Sequence, residues 1–198
     1  MRKEGDSMTC IVGYVQDGVV FLGGDSLGSD DYLKSTFTQK KVFKSKYDSN
    51  LIIGLSGNYI LQFLQYEDIF MDIALYEDIN EYLITRFVPN LRELVMRYSA
   101  FDGEDNNKMS GELMFGYQDK LFKVQEDYSI IERKDNFDAM GTGEATSLGA
   151  LNILRDNYLP PIEKIRIVLK TSSKFNTGVA PPFYIINTLD DEIVKFEN

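Results

Sequence analysis

Pairs of short apolar runs joined by tight polar turns occur four times along this chain, and they constrain its fold more than any other feature. In the first pair, residues 9–16 and Val19–Gly24 are separated by Asp17-Gly18, a dipeptide typical of two-residue β-hairpins. The other three pairs are 41–44 with 51–56, 112–117 with 121–125, and 183–189 with 192–196. Each pair predicts two neighbouring antiparallel strands.

The spacing of apolar residues changes to that of helices after the second and third hairpins. Residues 60–64 and 79–95 repeat apolar positions every three or four residues, with Asp78 as a candidate N-cap and Pro89 as a point of kinking or division. A second pair of helices is predicted by the segments 144–157 and 161–171, which are separated by prolines.

Alternating pairs of strands and helices determine the predicted fold class. The polar segments 28–38 and 101–111 are predicted to be loops. The order predicts an α+β fold, a four-layer αββα sandwich in which two stacked antiparallel sheets carry helices on both outer faces. No repeat or linker divides the chain, so one domain is expected over residues 9–198.

Composition excludes several kinds of catalytic site. The 198 residues include no histidine, which rules out a Ser-His-Asp triad and a histidine metal site. A hydrolase built on this chain needs another general base: a carboxylate, a lysine, or a free α-amine, whose pKa is ordinarily about 7.7–8.0. A single cysteine excludes an internal disulfide framework.

Charge and hydropathy indicate where the protein acts. The formal net charge of -10 argues against nucleic acid as a partner. No apolar run reaches the roughly 18 residues that a membrane span needs, and the charged start of the chain is unlike a signal peptide. We therefore expect a cytoplasmic protein without a membrane or nucleic-acid partner.

Three polar residues recur at a regular interval. Thr9 opens the first strand, Asp25 follows Gly23-Gly24 sixteen positions later, and Lys41 follows after another sixteen. This spacing, with the order of hairpins, resembles the proteasome β-subunits and HslV-type peptidases of the N-terminal-nucleophile hydrolase superfamily. The resemblance covers nearly all of residues 9–198 and implies the sandwich fold predicted above.

The resemblance also implies a catalytic role for each of these residues. Thr9 would be the nucleophile and its own α-amine the general base. The positive charge of Lys41 would lower the pKa of that amine, and Asp25 would keep Lys41 charged and oriented. The backbone N–H of Gly57 would stabilise the oxyanion, since glycine permits close approach of the backbone.

The resemblance also implies supporting residues, at positions where this chain departs from the family's motifs. Thr142, between two glycines, and Thr177, before a glycine, take the places of serines in the family's motifs. Lys174 stands where the family often has an aspartate, which is the largest departure from the pattern. Leu55 and Tyr59 are implied near the substrate side chain that precedes the scissile bond, where they would favour apolar residues. The resemblance implies no metal or cofactor.

Two other features have simpler explanations than catalysis or metal binding. Cys10 alternates to the sheet face opposite Thr9, which predicts core packing. The acidic segment 102–107 begins like a calcium loop but lacks glycine at the sixth position and glutamate at the twelfth, so we predict a solvated turn.

Residues 1–8 determine whether Thr9 has a free amine, because Met8 acylates it. Two routes would expose the amine. In the first, residues 1–8 are a propeptide removed by autocatalysis, although the family usually has glycine where this chain has Met8. Alternatively, translation starts at Met8 and an aminopeptidase removes that residue. In the second case residues 1–7 derive from an upstream start or from an expression vector.

Three functions remain open from the sequence. The resemblance favours a threonine peptidase or amidase that cleaves peptides or proteins within a homo-oligomeric ring, with an ATPase as a possible partner. The first alternative is a non-catalytic ring or scaffold protein that never exposes Thr9. The second is an amidase that acts on small molecules.

Overall fold

Two five-stranded antiparallel sheets form the centre of the computed structural model, which describes residues 8–29, 34–102 and 105–197. In spatial order, the first sheet contains β12 (Phe137–Met140), β1 (Ile11–Gln16), β2 (Val19–Gly24), β13 (Phe183–Asn187) and β14 (Val194–Phe196). The second contains β11 (Ile130–Glu132), β10 (Lys120–Val124), β9 (Gly111–Tyr117), β6 (Leu51–Gly57) and β5 (Val42–Lys44).

All four predicted hairpins form antiparallel pairs, namely β1–β2, β5–β6, β9–β10 and β13–β14. The first turn explains why its sequence was so informative. Asp17 and Gly18 both have positive φ angles, of 52° and 78°, which is the conformation of a type I′ turn. Aspartate and glycine adopt it more readily than most residues, so this dipeptide fixes the pairing of the two strands.

Helices cover the outer face of each sheet. After β6, helical structure comprises two 3₁₀ segments (Tyr59–Gln65 and Ile73–Leu75), α1 (Ile79–Tyr82), a π-helical turn (Leu83–Phe87) and α2 (Val88–Arg97). Between β12 and β13 lie α3 (Glu144–Leu154) and α4 (Pro161–Phe175). Asp78 caps α1 as predicted, since its side chain accepts a hydrogen bond from the Asn80 N–H at 2.8 Å. The helix predicted over 79–95 is divided near Pro89, as expected: its geometry changes from π to α at Val88.

The two predicted loops were wrong. Segment 28–38 contains parts of β3 (Leu27–Ser29) and β4 (Lys34–Thr36), which form a separate two-stranded pair. Segment 101–111 contains β7 (Phe101–Asp102) and β8 (Asp105–Met109), which also form a separate pair. These strands lie outside the large sheets, so they lack the apolar alternation from which strands are predicted. Strands β11 and β12 were missed as well.

Three apolar clusters fill the spaces between the four layers. The cluster between the sheets includes Ile11, Val20, Leu22, Ile52 and Met114. A second cluster joins the first sheet to α3 and α4, and a third joins the second sheet to the helices around α2. The predicted four-layer αββα sandwich is therefore the observed architecture, and β1 lies between β12 and β2 in its first sheet.

We predict that Phe87→Ala destabilises the protein by about 3–5 kcal/mol, because it removes a fully buried ring and leaves a cavity. The Phe87 ring stacks on Phe70 and lies against Phe115, with centroid distances of 4.6 and 5.6 Å. Ile84→Ala is the matched control, since Ile84 lies in the same π-helical turn and is 69% exposed. Urea unfolding measures both variants, and equal losses of stability would contradict the packing described here.

Candidate active site

Asp25 connects the end of β2 to the segment just before β1, which contains Thr9. It follows β2 directly and is fully buried. Its Oδ1 accepts a hydrogen bond from the Cys10 N–H at 2.9 Å, and its Oδ2 accepts one from the Leu27 N–H at 3.0 Å. The carboxylate therefore fixes the main chain on both sides of the site, including the residue directly after Thr9.

Lys41 connects the second sheet to Asp25. It precedes β5, and its Nζ donates to Asp25 Oδ1 at 2.9 Å, to the Leu27 carbonyl at 2.7 Å and to the Met8 carbonyl at 2.8 Å. Its side chain is 12% exposed. The ammonium thus has three acceptors, one of which belongs to the peptide bond that joins Met8 to Thr9.

Burial determines the electrostatics of this pair. Removal from water lowers the pKa of the Lys41 ammonium, while the charge of Asp25 opposes that change. Burial likewise raises the pKa of the Asp25 carboxyl, against the effects of Lys41 and of the Cys10 and Leu27 N–H groups. Each charge is therefore stable in this place only because its partner and the surrounding dipoles compensate for lost hydration.

The segment after β12 holds Thr9 from the other side. Thr142 Oγ1 and the Gly143 N–H both donate to the Thr9 carbonyl at 3.2 Å. Gly141 has a φ of 83°, and a Cβ at this position would clash with the Thr9 carbonyl oxygen. Thr9 itself is 3% exposed. We refer to residues 141–143 as the 141–143 turn.

Ser56 is a polar neighbour of the site that was not among the predicted site residues. It lies on β6, is 4% exposed, and its Oγ would be 2.9 Å from a Cβ placed on Gly141. A signal existed in the alternation of β6: Gly54, two positions earlier, packs against Ile11 between the sheets, so Ser56 faces the same way.

Gly57 follows at the end of β6, opposite Gly111 of β9. Its φ is 132°, and a Cβ would clash with the Gly111 backbone. This position therefore requires glycine for close approach of two strands. That requirement is independent of the oxyanion role predicted for its N–H, which stays a prediction.

Thr177 and Lys174 lie at the edge of the site. Thr177 is exposed in the turn after α4, whereas a Cβ on its neighbour Gly178 would be 2.9 Å from Thr142 Oγ1. Lys174 is exposed on α4, and its ammonium lies 5.7 Å from the centre of the Phe175 ring. Asn176, the residue that follows α4, donates from its Nδ2 to Thr146 Oγ1 of α3 at 3.3 Å.

The substrate-binding roles predicted for Leu55 and Tyr59 stay predictions. Leu55 is 4% exposed and packs in the cluster between the second sheet and the helices around α2, on the side of β6 away from the first sheet. The backbone of Tyr59 begins the 3₁₀ segment that follows β6, and its side chain lies outside the described part of the chain.

Cys10 packs in the core, as predicted from strand alternation. It is fully buried with α3 and α4, and its Sγ lies 3.2 Å from Ser147 Oγ. Burial raises the pKa of its thiol to about 12. The thiol is therefore protonated at neutral pH and unsuited to act as a nucleophile.

Within residues 8–29, 34–102 and 105–197, no group of three or more His, Cys, Asp or Glu side chains could hold a metal ion. The side chains of residues 102–106, in the segment that begins like a calcium loop, lie outside the description. In the same described ranges, no helix has the length and apolar character required to cross a bilayer.

The chain shares its fold with several solved proteins. Thiobacillus denitrificans BPH matches with a TM-score of 0.73 at 14% identity, over 90% of this chain and 96% of that one, and a second BPH structure contains epoxomicin. HslV from Trypanosoma brucei matches with a TM-score of 0.68 at 13% identity, over 90% and 98%. Anbu, an ancestral beta-subunit from Yersinia bercovieri, matches with 0.69 at 16%, over 94% and 86%.

Comparison by sequence gives no match: no protein-family model and no curated protein matches the chain. The resemblance to HslV-type proteins predicted from the sequence is thus confirmed for the fold. Because the identities are 16% or lower for these structures, the likeness concerns the fold alone.

We predict that Cys10 resists iodoacetamide in the folded protein at pH 8 and is alkylated in 8 M urea at the same pH. Its raised pKa and complete burial leave almost no accessible thiolate in the folded state, whereas unfolding restores an ordinary thiol. Intact-mass spectrometry counts the adducts. Rapid alkylation without denaturant would contradict the placement of Cys10 in the core.

Proposed function

We propose that this chain is a threonine-type peptidase or amidase in which Thr9, once freed from Met8, is the nucleophile. The observation that carries the proposal is the position of the Lys41 ammonium. Asp25 and the Leu27 carbonyl orient it so that it lies 2.8 Å from the Met8 carbonyl oxygen, at the bond that must be broken to expose Thr9.

Loss of Met8 would change the chemistry of the site in two ways. It would create a free α-amine on Thr9, and it would remove one acceptor from the Lys41 ammonium. The neighbouring positive charge would then lower the amine pKa from its ordinary value of about 7.7–8.0. A neutral amine at pH 7 can accept the proton of the Thr9 hydroxyl.

The reaction then proceeds in two steps, acylation of Thr9 and hydrolysis of the resulting ester. The Thr9 hydroxyl oxygen bonds to the substrate carbonyl carbon while the α-amine takes the hydroxyl proton. Collapse of the tetrahedral intermediate breaks the C–N bond, and the α-ammonium gives its proton to the leaving amine. Water then attacks the resulting ester by the same route and releases the acid, which restores Thr9.

Other residues have supporting roles in this proposal. The N–H of Gly57 would stabilise the oxyanion. Thr142, whose hydroxyl donates to the Thr9 carbonyl, would orient the nucleophile. Thr177, in the turn after α4, would support the same orientation. Leu55 and Tyr59 would favour apolar substrate residues, directly or through the shape of the β6 end.

Assembly is a further part of the proposal. The resemblance to HslV supports a homo-oligomeric ring, a possible ATPase partner and peptide or protein substrates, and the composition of the chain supports a cytoplasmic location. Both helical layers carry exposed large apolar side chains that subunit contacts could cover, among them Leu75, Ile84 and Met96 on one layer and Ile153, Tyr158 and Phe175 on the other.

A scaffold without activity is the second candidate, and the environment of Met8 favours it. Met8 is half-buried, its carbonyl accepts from Lys41, and a Cβ on Gly178 would lie 3.2 Å from its side chain. A residue with these contacts stabilises the unprocessed chain. If Met8 is retained in every form of the protein, the scaffold function is the correct one.

We predict that protein expressed from Met8 as its start codon loses Met8 and gains one epoxomicin adduct by intact mass. Epoxomicin is a suitable probe because its epoxyketone can react with both the hydroxyl and the amine of an N-terminal threonine. Thr9→Ala is the matched control, since aminopeptidases also remove methionine before alanine. It should be processed and take no adduct.

Two outcomes of this experiment would contradict the proposal. One is a chain that keeps Met8. The other is a processed chain that neither takes the adduct nor hydrolyses peptide amides with apolar residues before the scissile bond.

We predict that Lys41→Met lowers kcat/KM about 100- to 10,000-fold, because it removes the charge that keeps the α-amine neutral. The double variant Lys41→Met/Asp25→Asn should be equally inactive but better folded, since it leaves no unpaired buried carboxylate. Lys44→Met is the control, because Lys44 pairs at 2.9 Å with Asp191, a residue whose side chain is 90% exposed. Steady-state kinetics and circular dichroism test all three, and an active, folded double variant would refute the role of the pair.

A further inference from the structure

Lys123 is a buried lysine that the proposed mechanism does not use. It lies on β10, two residues after Leu121, so it faces the space between the sheets, and it is 4% exposed. Its Nζ lies 3.1 Å from Glu144 Oε1, 3.5 Å from Glu112 Oε1 and 3.4 Å from the Ala139 carbonyl. Lysine is rarely buried unless paired, and this one has partners on three elements.

These partners surround the 141–143 turn. Ala139 lies just before this turn, at the end of β12, and Glu144 lies just after it, at the start of α3. Glu112 belongs to β9 of the second sheet and is the register partner of Ser56. One ammonium therefore joins the second sheet to both ends of the turn whose Thr142 and Gly143 bind the Thr9 carbonyl.

A second cation strengthens the same connection. The Arg133 Nε lies 2.6 Å from Asp138 Oδ1, and its Nη2 lies 3.8 Å from Glu144 Oε1. Glu144 is in the first turn of α3, where the helix dipole also favours a carboxylate. The start of α3 is thus held by two cations, Lys123 on β10 and Arg133 in the segment before β12.

We propose that Lys123 is a positioning residue for Thr9: it fixes both ends of the 141–143 turn to the second sheet, and so fixes the Thr9 carbonyl. Its effect on catalysis rests on the proposed function, whereas its effect on the turn does not. Lys123 acts through Thr142 and Gly143, not on the substrate. Its loss should therefore lower kcat and leave KM nearly unchanged.

Lys164 supplies a matched control for this proposal. It is 2% exposed, and its Nζ donates to the Tyr14 hydroxyl at 2.7 Å and to the Arg155 carbonyl at 3.1 Å. It packs on the opposite face of the first sheet, with α4, away from the 141–143 turn. Lys123→Met and Lys164→Met thus each replace one buried ammonium with an apolar chain of similar length.

The first measurement compares the two variants as processed enzymes. Lys123→Met should lower kcat and the rate of epoxomicin labelling at least tenfold, with KM changed less than twofold. Lys164→Met should keep kcat, KM and the labelling rate within twofold of the parent, even if it lowers the melting temperature as much as Lys123→Met does. Equal effects of the two variants on kcat would overturn the proposal, because they would indicate general loss of stability.

The second measurement does not depend on activity. Amide hydrogen exchange at Gly143, whose N–H donates to the Thr9 carbonyl, should be at least tenfold faster in Lys123→Met and unchanged in Lys164→Met. If the parent protein is inactive, this result still supports the positioning role and only the proposed function fails. Unchanged exchange in Lys123→Met would refute the role whatever the activity.

Glu144→Gln replaces Lys123→Met if the latter does not fold. It removes one charged partner of Lys123 from a side chain that is 33% exposed. The same selective increase in exchange at Gly143 is expected, with a smaller loss of kcat. Protection equal to that of the parent would again contradict the proposal.

Discussion

The buried ion pair between Asp25 and Lys41 is the interaction on which the geometry of the site depends. Asp25 directly follows a strand of the first sheet, and Lys41 precedes a strand of the second, where its carbonyl also accepts from the Leu55 N–H at 2.8 Å. A buried pair is tolerated only when hydrogen bonds compensate for lost hydration. Here two of the compensating groups, the Met8 carbonyl and the Cys10 N–H, belong to the main chain on either side of Thr9, so satisfying the charges also fixes that residue.

Thr9 is consequently held through the carbonyl groups on both sides of its backbone N–H and Cα. Lys41 donates to the Met8 carbonyl, which precedes Thr9, and Thr142 and Gly143 donate to the carbonyl of Thr9 itself. The first contact comes from the second sheet, and the others come from the turn that Lys123 connects to that sheet. In the proposed function, a nucleophile fixed in this way would need little rearrangement during reaction, which is the condition for efficient electrostatic catalysis.

The sequence predicted the parts of this arrangement that depend on local patterns. Tight turns such as Asp17-Gly18 fixed the hairpins, and the spacing of Thr9, Asp25 and Lys41 indicated the fold through resemblance. Ser56 and Lys123 were missed because their importance comes from the stacking of two sheets. Alternation assigns each to a face of its strand, but it does not indicate which residues of the other sheet lie opposite.

Met8 gives the ion pair two successive roles in the proposed mechanism. While Met8 is attached, its carbonyl is one of three acceptors that stabilise the Lys41 ammonium. When it leaves, the ammonium loses that acceptor beside a newly formed amine and the Thr9 hydroxyl. A developing alkoxide is a stronger acceptor than the carbonyl it replaces. The interaction that stabilises the precursor would thereby favour the transition state of the mature enzyme, with no change in the fold.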